Sequence, residues 1–238
     1  MSPEGLRLDG RRDKELRKLH ATVSVLQSAD GSATFEMGNT KVMAAVFGPK
    51  EVEQRSAMDP DRAIVRCEYS MAAFSTGERR KRGKGDRRAL EISTVIQNAL
   101  EQTIMVELMP RTQIDVYIQV LQADGGTRCA SINAAFLALA DAGIPMKDMI
   151  CGCAAGYLDG TALLDLNYLE DSGGGPDVVV ALQPSLDRIV VLQSDNRISI
   201  EVFEEVMRLA TEGCRAVAGF MRDVLMEHVK ILAIAQQG

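Results

Sequence analysis

Five consecutive residues, Asp124-Gly125-Gly126-Thr127-Arg128, have the composition of an anion-binding turn. Glycines let a backbone approach a ligand closely, and a helix that starts here offers unpaired N–H groups beside the cation of Arg128. Phosphate is the simplest ligand for such a turn. The other interpretation is a tight strand-to-helix turn with Arg128 in solvent, and Gly-Gly turns are common enough to favour it for this segment alone.

A second candidate for anion contact lies in residues 75–88, which are rich in Lys and Arg. The usual interpretation of a charge run is a solvated, flexible loop. Asp86, however, is a suitable N-cap for a helix, which would place Arg87 and Arg88 in the first helical turn. Because cations there oppose the helix dipole, these two arginines are better candidates for phosphate contacts than the loop lysines.

Acidic residues occur in the glycine-rich segment 168–177, which carries Glu170, Asp171 and Asp177 to the start of an apolar run. A carboxylate directly before a buried strand is costly unless it is solvated or has a function. A solvated loop acid remains the commoner explanation for any one of the three.

The glycine turn requires a strand that is followed at once by a helix. Residues 114–120 alternate apolar and polar side chains, which is typical of a half-buried strand. From Thr127 the apolar residues take helical spacing, and Gly143 followed by Pro145 predicts the end of that helix. The sequence therefore predicts a strand, a turn and a helix in immediate succession.

The remaining runs predict the rest of the scaffold. Residues 21–26, 32–36 and 41–47 predict an antiparallel meander that ends at Gly48-Pro49, and residues 63–73 predict a fourth strand. Further along, 149–158 with 162–167 predict a hairpin, 178–182 and 188–193 predict strands, and 200–235 predict one long helix or two abutting ones. Because the second half loosely echoes the first, we predict a layered α+β fold over residues 1–238 as one pseudo-repeated domain.

Composition limits the class of protein. A hydrophobic content of 46% is ample for a globular core, and a net charge of −6 argues against a general nucleic-acid coat while allowing a local basic cluster. The five cysteines lie in apolar segments without metal-binding spacing, so we expect reduced core residues of an intracellular protein. No apolar run approaches the ~20 residues of a membrane span, and we expect neither export nor a membrane anchor.

Five motifs together resemble the ribonuclease PH family, in the family's order and spacing. They are Arg7-Leu-Asp-Gly-Arg11, Gly38-Asn-Thr-Lys41, Asp86-Arg-Arg88, Leu121-Gln-Ala-Asp-Gly-Gly-Thr-Arg128 and Asp141-Ala-Gly-Ile-Pro145. The first of them, taken alone, would be a solvated N-terminal arm. The resemblance covers nearly the whole chain and is more specific to ring subunits of RNA exosomes, of the kind that carries the phosphorolytic site in archaea, in a eukaryotic-type version.

This resemblance implies a fold of ribosomal-protein-like β-α-β units and a place in a hetero-hexameric ring of ribonuclease PH-like subunits around a channel. It implies RNA as a partner, together with RNA-binding cap subunits and a separate hydrolytic nuclease, and no membrane. A eukaryotic version would act in the nucleus, nucleolus and cytoplasm.

The resemblance also implies a reaction, 3′-to-5′ phosphorolysis of RNA, with inorganic phosphate as co-substrate and nucleoside diphosphates as products. Gly126, Thr127 and Arg128 match the family's phosphate site. Arg87 and Arg88 match its contacts to the RNA backbone near the 3′ end.

Two acids complete the site that the resemblance implies. Asp177 matches the catalytic carboxylate, as general acid to the departing 3′ oxygen or as a ligand of Mg²⁺, and Asp171 matches a second carboxylate that helps to place the metal. The chain departs from active members at residues 174–176, Gly-Gly-Pro, where they usually have larger or acidic residues. It also has Val179 where some bacterial relatives carry a metal-binding lysine.

Two functions remain open. One is a phosphorolytic exoribonuclease that is active only within its ring, and the other is a structural ring subunit that threads RNA to a separate hydrolytic nuclease. Inactive relatives typically lose the acid or the arginine, whereas this chain keeps Arg128, Asp171 and Asp177. The sequence therefore favours activity.

Overall fold

The computed structural model describes residues 6–53, 58–79, 86–194 and 196–235. Within these ranges the strands are β1 (Leu19–Val23), β2 (Gly31–Met37), β3 (Thr40–Glu51), β4 (Ile64–Met71), β5 (Thr112–Gln122), β6 (Cys151–Leu158), β7 (Thr161–Leu164), β8 (Asp177–Gln183) and β9 (Arg188–Ser194). The α-helices are α1 (Arg87–Thr103), α2 (Thr127–Asp141), α3 (Tyr168–Asp171) and α4 (Ile200–Ala235).

The strands form two sheets. The first has the order β1-β2-β3-β5-β4 and is mixed, because β4 pairs with β5 in parallel while the other pairs are antiparallel. The second has the order β7-β6-β8-β9 and is antiparallel throughout. Helices α1 and α2 pack on the first sheet, and α4 packs on the second. The predicted layered α+β class is confirmed.

Helix α2 lies between the two sheets. It contacts β2 and β3 on one side and β6 on the other, and every residue from Cys129 to Leu139 is buried. A helix enclosed in this way needs apolar or small side chains around its whole circumference, which is what residues 129–139 provide. One contiguous hydrophobic core includes this helix, both sheets, α1 and α4.

Two predictions of local structure are wrong, one for the end of a strand and one for a segment expected to be a loop. Strand β3 does not end at Gly48-Pro49, because after a register shift beyond Phe47 it pairs with β5 again at Lys50 and Glu51. Segment 168–171 is a short helix instead of an irregular loop. Asn167 and Glu170 form a reciprocal capping box that satisfies backbone N–H groups at its start.

The long C-terminal segment is one helix that passes through Gly213 and Gly219 without interruption. Gly213 has a packing role, since a Cβ at this position would lie 2.7 Å from Cys153 Sγ. All five cysteines are free. Four of them are buried, as predicted for core residues, and Cys67 is partly buried against the core. Across the described ranges, no helix combines the length and apolarity that a membrane crossing needs.

Candidate active site

The first turn of α1 and the start of α2 lie at the same end of the first sheet. Strands β4 and β5 are parallel, so their carboxyl ends meet at this end, and α2 begins just after β5. Helix α1 runs antiparallel to β4, since Ser93 Oγ donates to the Cys67 carbonyl at 2.5 Å and Gln97 borders the first residues of β4. Arg87 and Arg88 are therefore at the end of the sheet where α2 starts.

Asp177 reaches this region from the second sheet. It is the first residue of β8, and β8 begins beside the last residues of β9. Arg128, from the start of α2, directs Nη1 to Gln193 Oε1 near the end of β9, at 3.4 Å. Gln193 is the cross-strand partner of Val179, so Arg128 lies against the end of the sheet at which Asp177 stands.

The third residue of α2, Cys129, is a buried thiol. Burial raises its pKa to about 12, and the charges of Asp165, Arg17, Arg128 and Asp177 all act on it. Burial is the largest cause of this shift, and the four charges contribute less. The fold thus brings together an arginine and an acid that are 49 positions apart in the sequence.

The glycine turn has the conformation that its composition suggested. Gly125 and Gly126 have left-handed φ values of 74° and 64°. A Cβ on Gly125 would lie 2.6 Å from the Leu166 carbonyl oxygen, so the turn can approach this backbone only with glycine. Gly126 is the N-cap of α2 and, as glycine, has no side chain that could cap the helix. A helix start of this kind presents backbone N–H groups that suit an anion.

The inner side of this turn is held by a buried ion pair. The Arg17 guanidinium binds Asp165 through two hydrogen bonds of 2.9 and 2.7 Å, and it also donates to the carbonyl oxygens of Asp124 and Gly125. Burial alone would lower the pKa of Arg17, but the hydrogen bonds and charge of Asp165 raise it. The arginine therefore remains a charged donor beneath the turn.

The N-terminal arginines form the next part of this network. Arg7 is buried, with Nε 2.7 Å from Glu170 Oε1 and Nη1 2.5 Å from the Leu164 carbonyl oxygen. Arg11 donates to the Asp165 carbonyl at 3.1 Å. The interpretation of this segment as a solvated arm is therefore wrong, because its arginines pair with buried acceptors.

Glu170 is likewise not a solvated loop acid. It is 9% exposed and receives Arg7 and the Asn167 backbone N–H. Burial by itself would raise the pKa of Glu170, but the hydrogen bonds from Arg7 and the Asn167 N–H, together with the charges of Arg7 and Arg11, outweigh burial and lower the pKa. The ion pair between Arg7 and Glu170 holds the N-terminal segment against α3, the helix that precedes Asp177 in the chain.

The first turn of α1 confirms the predicted N-cap. Asp86 Oδ1 accepts from the backbone N–H groups of Arg88 at 3.2 Å and Ala89 at 3.4 Å. Arg87 and Arg88 are exposed, and the turn contains no acidic residue. Two cations therefore stand at the positive end of a helix, an arrangement that an approaching polyanion stabilises.

The two candidate acids have different surroundings. Asp171 is the exposed last residue of α3, whereas Asp177 is half-buried. Between them, a Cβ on Gly175 would lie 2.5 Å from the Tyr157 carbonyl oxygen, and the Pro176 carbonyl accepts from the Tyr157 N–H at 2.9 Å. Gly175 and Pro176 thus lie close against β6, which excludes a side chain at position 175, whereas Gly174 has open space around it and a left-handed φ of 73°.

The candidate metal ligands of this site are the carboxylates of Asp171 and Asp177, and their number limits which metal the site would hold. Among the described residues there is no group of three or more His, Cys, Asp or Glu side chains arranged to bind a metal. Two carboxylates are nevertheless compatible with Mg²⁺, which usually takes one or two carboxylates and completes its shell with water and substrate phosphate. Val179 is buried against Cys129 and Ala154, so it contributes an apolar contact and no ligand.

Comparison with protein families identifies the chain. The 3′ exoribonuclease family is matched in two parts, its domain 1 (ribonuclease PH) over residues 15–145 and its domain 2 over residues 148–213. The chain belongs to the 3′ exoribonuclease family. The ribonuclease PH resemblance of the five sequence motifs is confirmed.

Individual members of the 3′ exoribonuclease family are similar over nearly the full chain. An Arabidopsis thaliana protein named exosome complex component RRP41 homolog is 58% identical over 98% of this chain and 96% of its own length. The exosome complex component Rrp41 of Thermococcus gammatolerans is 51% identical over 98% of this chain and 92% of its own length. The solved structure of rice Rrp46 has a TM-score of 0.80 and 27% identity, and the match covers 91% of this chain and 98% of that one. The predicted ribonuclease PH fold is confirmed.

Sequence reasoning missed three residues that shape the turn of this exoribonuclease-family chain. Arg17 and Asp165 are 148 positions apart, and no local pattern connects them. Thr40 lies within the Gly38-Asn-Thr-Lys41 family motif, to which the sequence alone assigned no role in the site. The functional meaning of that motif becomes visible when the chain is folded, because Thr40 Oγ1 is hydrogen-bonded to the glycine turn.

Proposed function

We propose that this chain is a ring subunit of an RNA exosome and that it degrades and processes RNA from the 3′ end by phosphorolysis. The observation that carries the proposal is that the glycine N-cap of α2, Arg128 and the start of β8 at Asp177 lie at the same end of the second sheet. Membership in a 3′ exoribonuclease family supports RNA as the substrate. The names of the Arabidopsis and Thermococcus relatives support assembly with other exosome subunits.

In this reaction an oxygen of inorganic phosphate attacks the phosphorus of the last internucleotide linkage. A new P–O bond forms, the bond from phosphorus to the 3′ oxygen breaks, and the terminal nucleotide leaves as a nucleoside diphosphate. The main obstacle is the repulsion between two anions. Backbone N–H groups of residues 126–128, the Thr127 hydroxyl and the Arg128 guanidinium would hold the attacking phosphate and offset its charge.

Asp177 would supply the proton that the departing 3′ oxygen needs, or would hold Mg²⁺ with Asp171. When bound, Mg²⁺ would neutralise charge on the phosphate oxygens. Asp177 is half-buried at the end of the second sheet that Arg128 contacts through Gln193, a position that suits either role.

The RNA strand would be held by Arg87 and Arg88 at the first turn of α1. Two exposed cations are a small binding surface in a chain of net charge −6, so the channel must be completed by neighbouring ribonuclease PH-like subunits. RNA-binding cap subunits and a hydrolytic nuclease would be further partners. The alternative function is a scaffold that passes RNA to that nuclease. The Gly-Gly-Pro segment before Asp177 favours it, because active members of the family usually have larger or acidic residues there. The following experiment separates phosphorolysis from the scaffold function.

The chain is assembled with its ring partners and incubated with RNA, Mg²⁺ and inorganic phosphate. We expect nucleoside diphosphates to accumulate only when phosphate is present, because phosphate is the nucleophile. The isolated chain, verified as a monomer, serves as the control and is expected to bind RNA weakly and release no product. An intact ring that threads RNA but releases no diphosphate would establish the scaffold function.

A charge reversal tests the RNA contacts. We expect Arg87→Glu with Arg88→Glu to weaken binding of all RNA sequences alike and to reduce the salt dependence by roughly one to two phosphate contacts, because backbone contacts carry no sequence information. The measurement is RNA affinity of the intact ring across a salt series.

The matched control for that reversal is Arg215→Glu with Arg222→Glu, which makes the same charge change at exposed positions of α4. We expect this control to leave the salt slope unchanged. Equal slopes for the wild type and the Arg87/Arg88 variant would mean that these arginines are solvated surface residues.

A further inference from the structure

We propose that Thr40 and Arg17 are positioning residues for phosphate binding. Arg17 binds the carbonyl groups of Asp124 and Gly125, and Thr40 binds the Gly125 carbonyl and the Asp124 N–H. These contacts hold the inner side of the glycine turn, so that the N–H groups that follow face the phosphate. The inference rests on the proposed function and adds to its site two residues from the first part of the chain.

Thr40 makes two hydrogen bonds to the turn with one hydroxyl. Its Oγ1 donates to the Gly125 carbonyl at 2.7 Å and accepts from the Asp124 N–H at 3.0 Å. The side chain is completely buried at the start of β3, so its position is set by the sheet. The hydroxyl therefore fixes the orientation of two peptide groups relative to a rigid element.

Arg17 holds the Gly125 carbonyl from a second direction and adds a contact to the Asp124 carbonyl. Its guanidinium donates to the Asp124 carbonyl and lies 3.3 Å from the Gly125 carbonyl oxygen. Nη2 lies 3.0 Å from the place where a Cβ of Gly126 would be, so the guanidinium is directly behind the N-cap of α2. Asp165, which is 1% exposed, receives two hydrogen bonds from this guanidinium and fixes its plane.

These contacts matter because a Gly-Gly peptide does not orient itself. Glycine adopts both signs of φ at little cost, so each peptide plane of the turn is free to rotate unless something outside the turn restrains it. A rotated plane would present a carbonyl oxygen to the phosphate instead of an N–H group, and two partial negative charges would repel. The buried partners on the inner side therefore act through the geometry of the turn, and neither needs to touch the phosphate.

The inference is best tested at Thr40, because replacement of Arg17 would leave the buried charge of Asp165 without its partner. Thr40→Val keeps the shape of the side chain, and we expect the KM and Kd for inorganic phosphate to rise about tenfold, the effect of losing about one well-placed hydrogen bond. The KM for RNA and the assembly of the ring are expected to stay within about twofold. Thr40→Ser restores the hydroxyl and should restore phosphate affinity.

The chain offers a matched control at Thr103. This threonine is also completely buried, and its hydroxyl also donates to a carbonyl, that of Ala99 at 2.8 Å, and accepts from an N–H donor, Gln183 Nε2 at 3.2 Å. It lies at the last turn of α1, at the far end from the site. Thr103→Val should cost a similar amount of stability and leave phosphate affinity unchanged.

Calorimetric titration of the ring with inorganic phosphate separates failure of this inference from failure of the proposed function. If the wild type binds phosphate without turnover, the proposed reaction fails while the effect of Thr40→Val on binding remains measurable. If Thr40→Val binds phosphate as the wild type does, or if Thr103→Val weakens it equally, the positioning role is wrong. A wild-type ring that binds no phosphate would overturn the proposed reaction and the positioning role together.

Discussion

Asp177→Asn is expected to reduce nucleoside diphosphate release by at least about a hundredfold, while RNA binding changes little. Asparagine has the shape of aspartate, but it neither supplies a proton at a comparable pKa nor offers the same charge to a metal. Removal of one negative charge beside a polyanion only relieves repulsion. The measurement is product release by wild-type and variant rings at matched RNA occupancy, with phosphate and Mg²⁺ present.

A control with the same chemical change is available at the other end of the β8–β9 hairpin. Asp187 is exposed and has a left-handed φ of 47°, a conformation that asparagine tolerates. Asp187→Asn should leave turnover unchanged. Equal and substantial release by the Asp177→Asn and wild-type rings would exclude Asp177 as the catalytic carboxylate.

Arg128→Ala is expected to raise the KM for inorganic phosphate by at least about a hundredfold, because the arginine would supply a charged, two-pronged donor to the attacking anion. Arg128→Lys keeps the charge and loses the planar fork, so it should recover only part of the loss. The KM for RNA should change much less than the KM for phosphate. Steady-state kinetics with each substrate varied in turn measures this difference.

Arg222 provides the matched control for the arginine replacement, because it is exposed on α4 outside the site. Arg222→Ala should have wild-type values of both KM parameters. If Arg128→Ala affected the two KM parameters equally, or neither, Arg128 would be no specific phosphate ligand and the side chain would serve its contact with Gln193.

The sequence alone predicted the parts of this molecule that depend on neighbours along the chain. Apolar periodicity and glycine predicted the strand, turn and helix from β5 to α2, and the capping preference of aspartate predicted the start of α1 at Asp86. These features are local, so a pattern of a few residues is enough to specify them. The five motifs in family order predicted the fold and the family, which the comparisons confirm.

Local patterns were misleading where distant segments supply the partners. Arg7, Arg11 and Glu170 are charged residues of the kind usually found in solvent. They are buried because the two arginines pair with Glu170, and Arg11 also with the Asp165 carbonyl, across more than 150 positions of the sequence. Strand β3 continues past Gly48-Pro49 because β5 offers it a second run of hydrogen bonds. Neither outcome is encoded in a window of neighbouring residues.

The sequence by itself determined the fold class, the family and the chemical types of the candidate site residues, because those follow from residue identity and local spacing. Only the tertiary structure decided that Arg128 and Asp177 lie at the same end of the second sheet, and that Thr40, Arg17 and Asp165 lie behind the glycine turn. The physical reason is that these contacts join two sheets and the helix between them, and their geometry exists only when long-range strand pairing and core packing have brought the segments together.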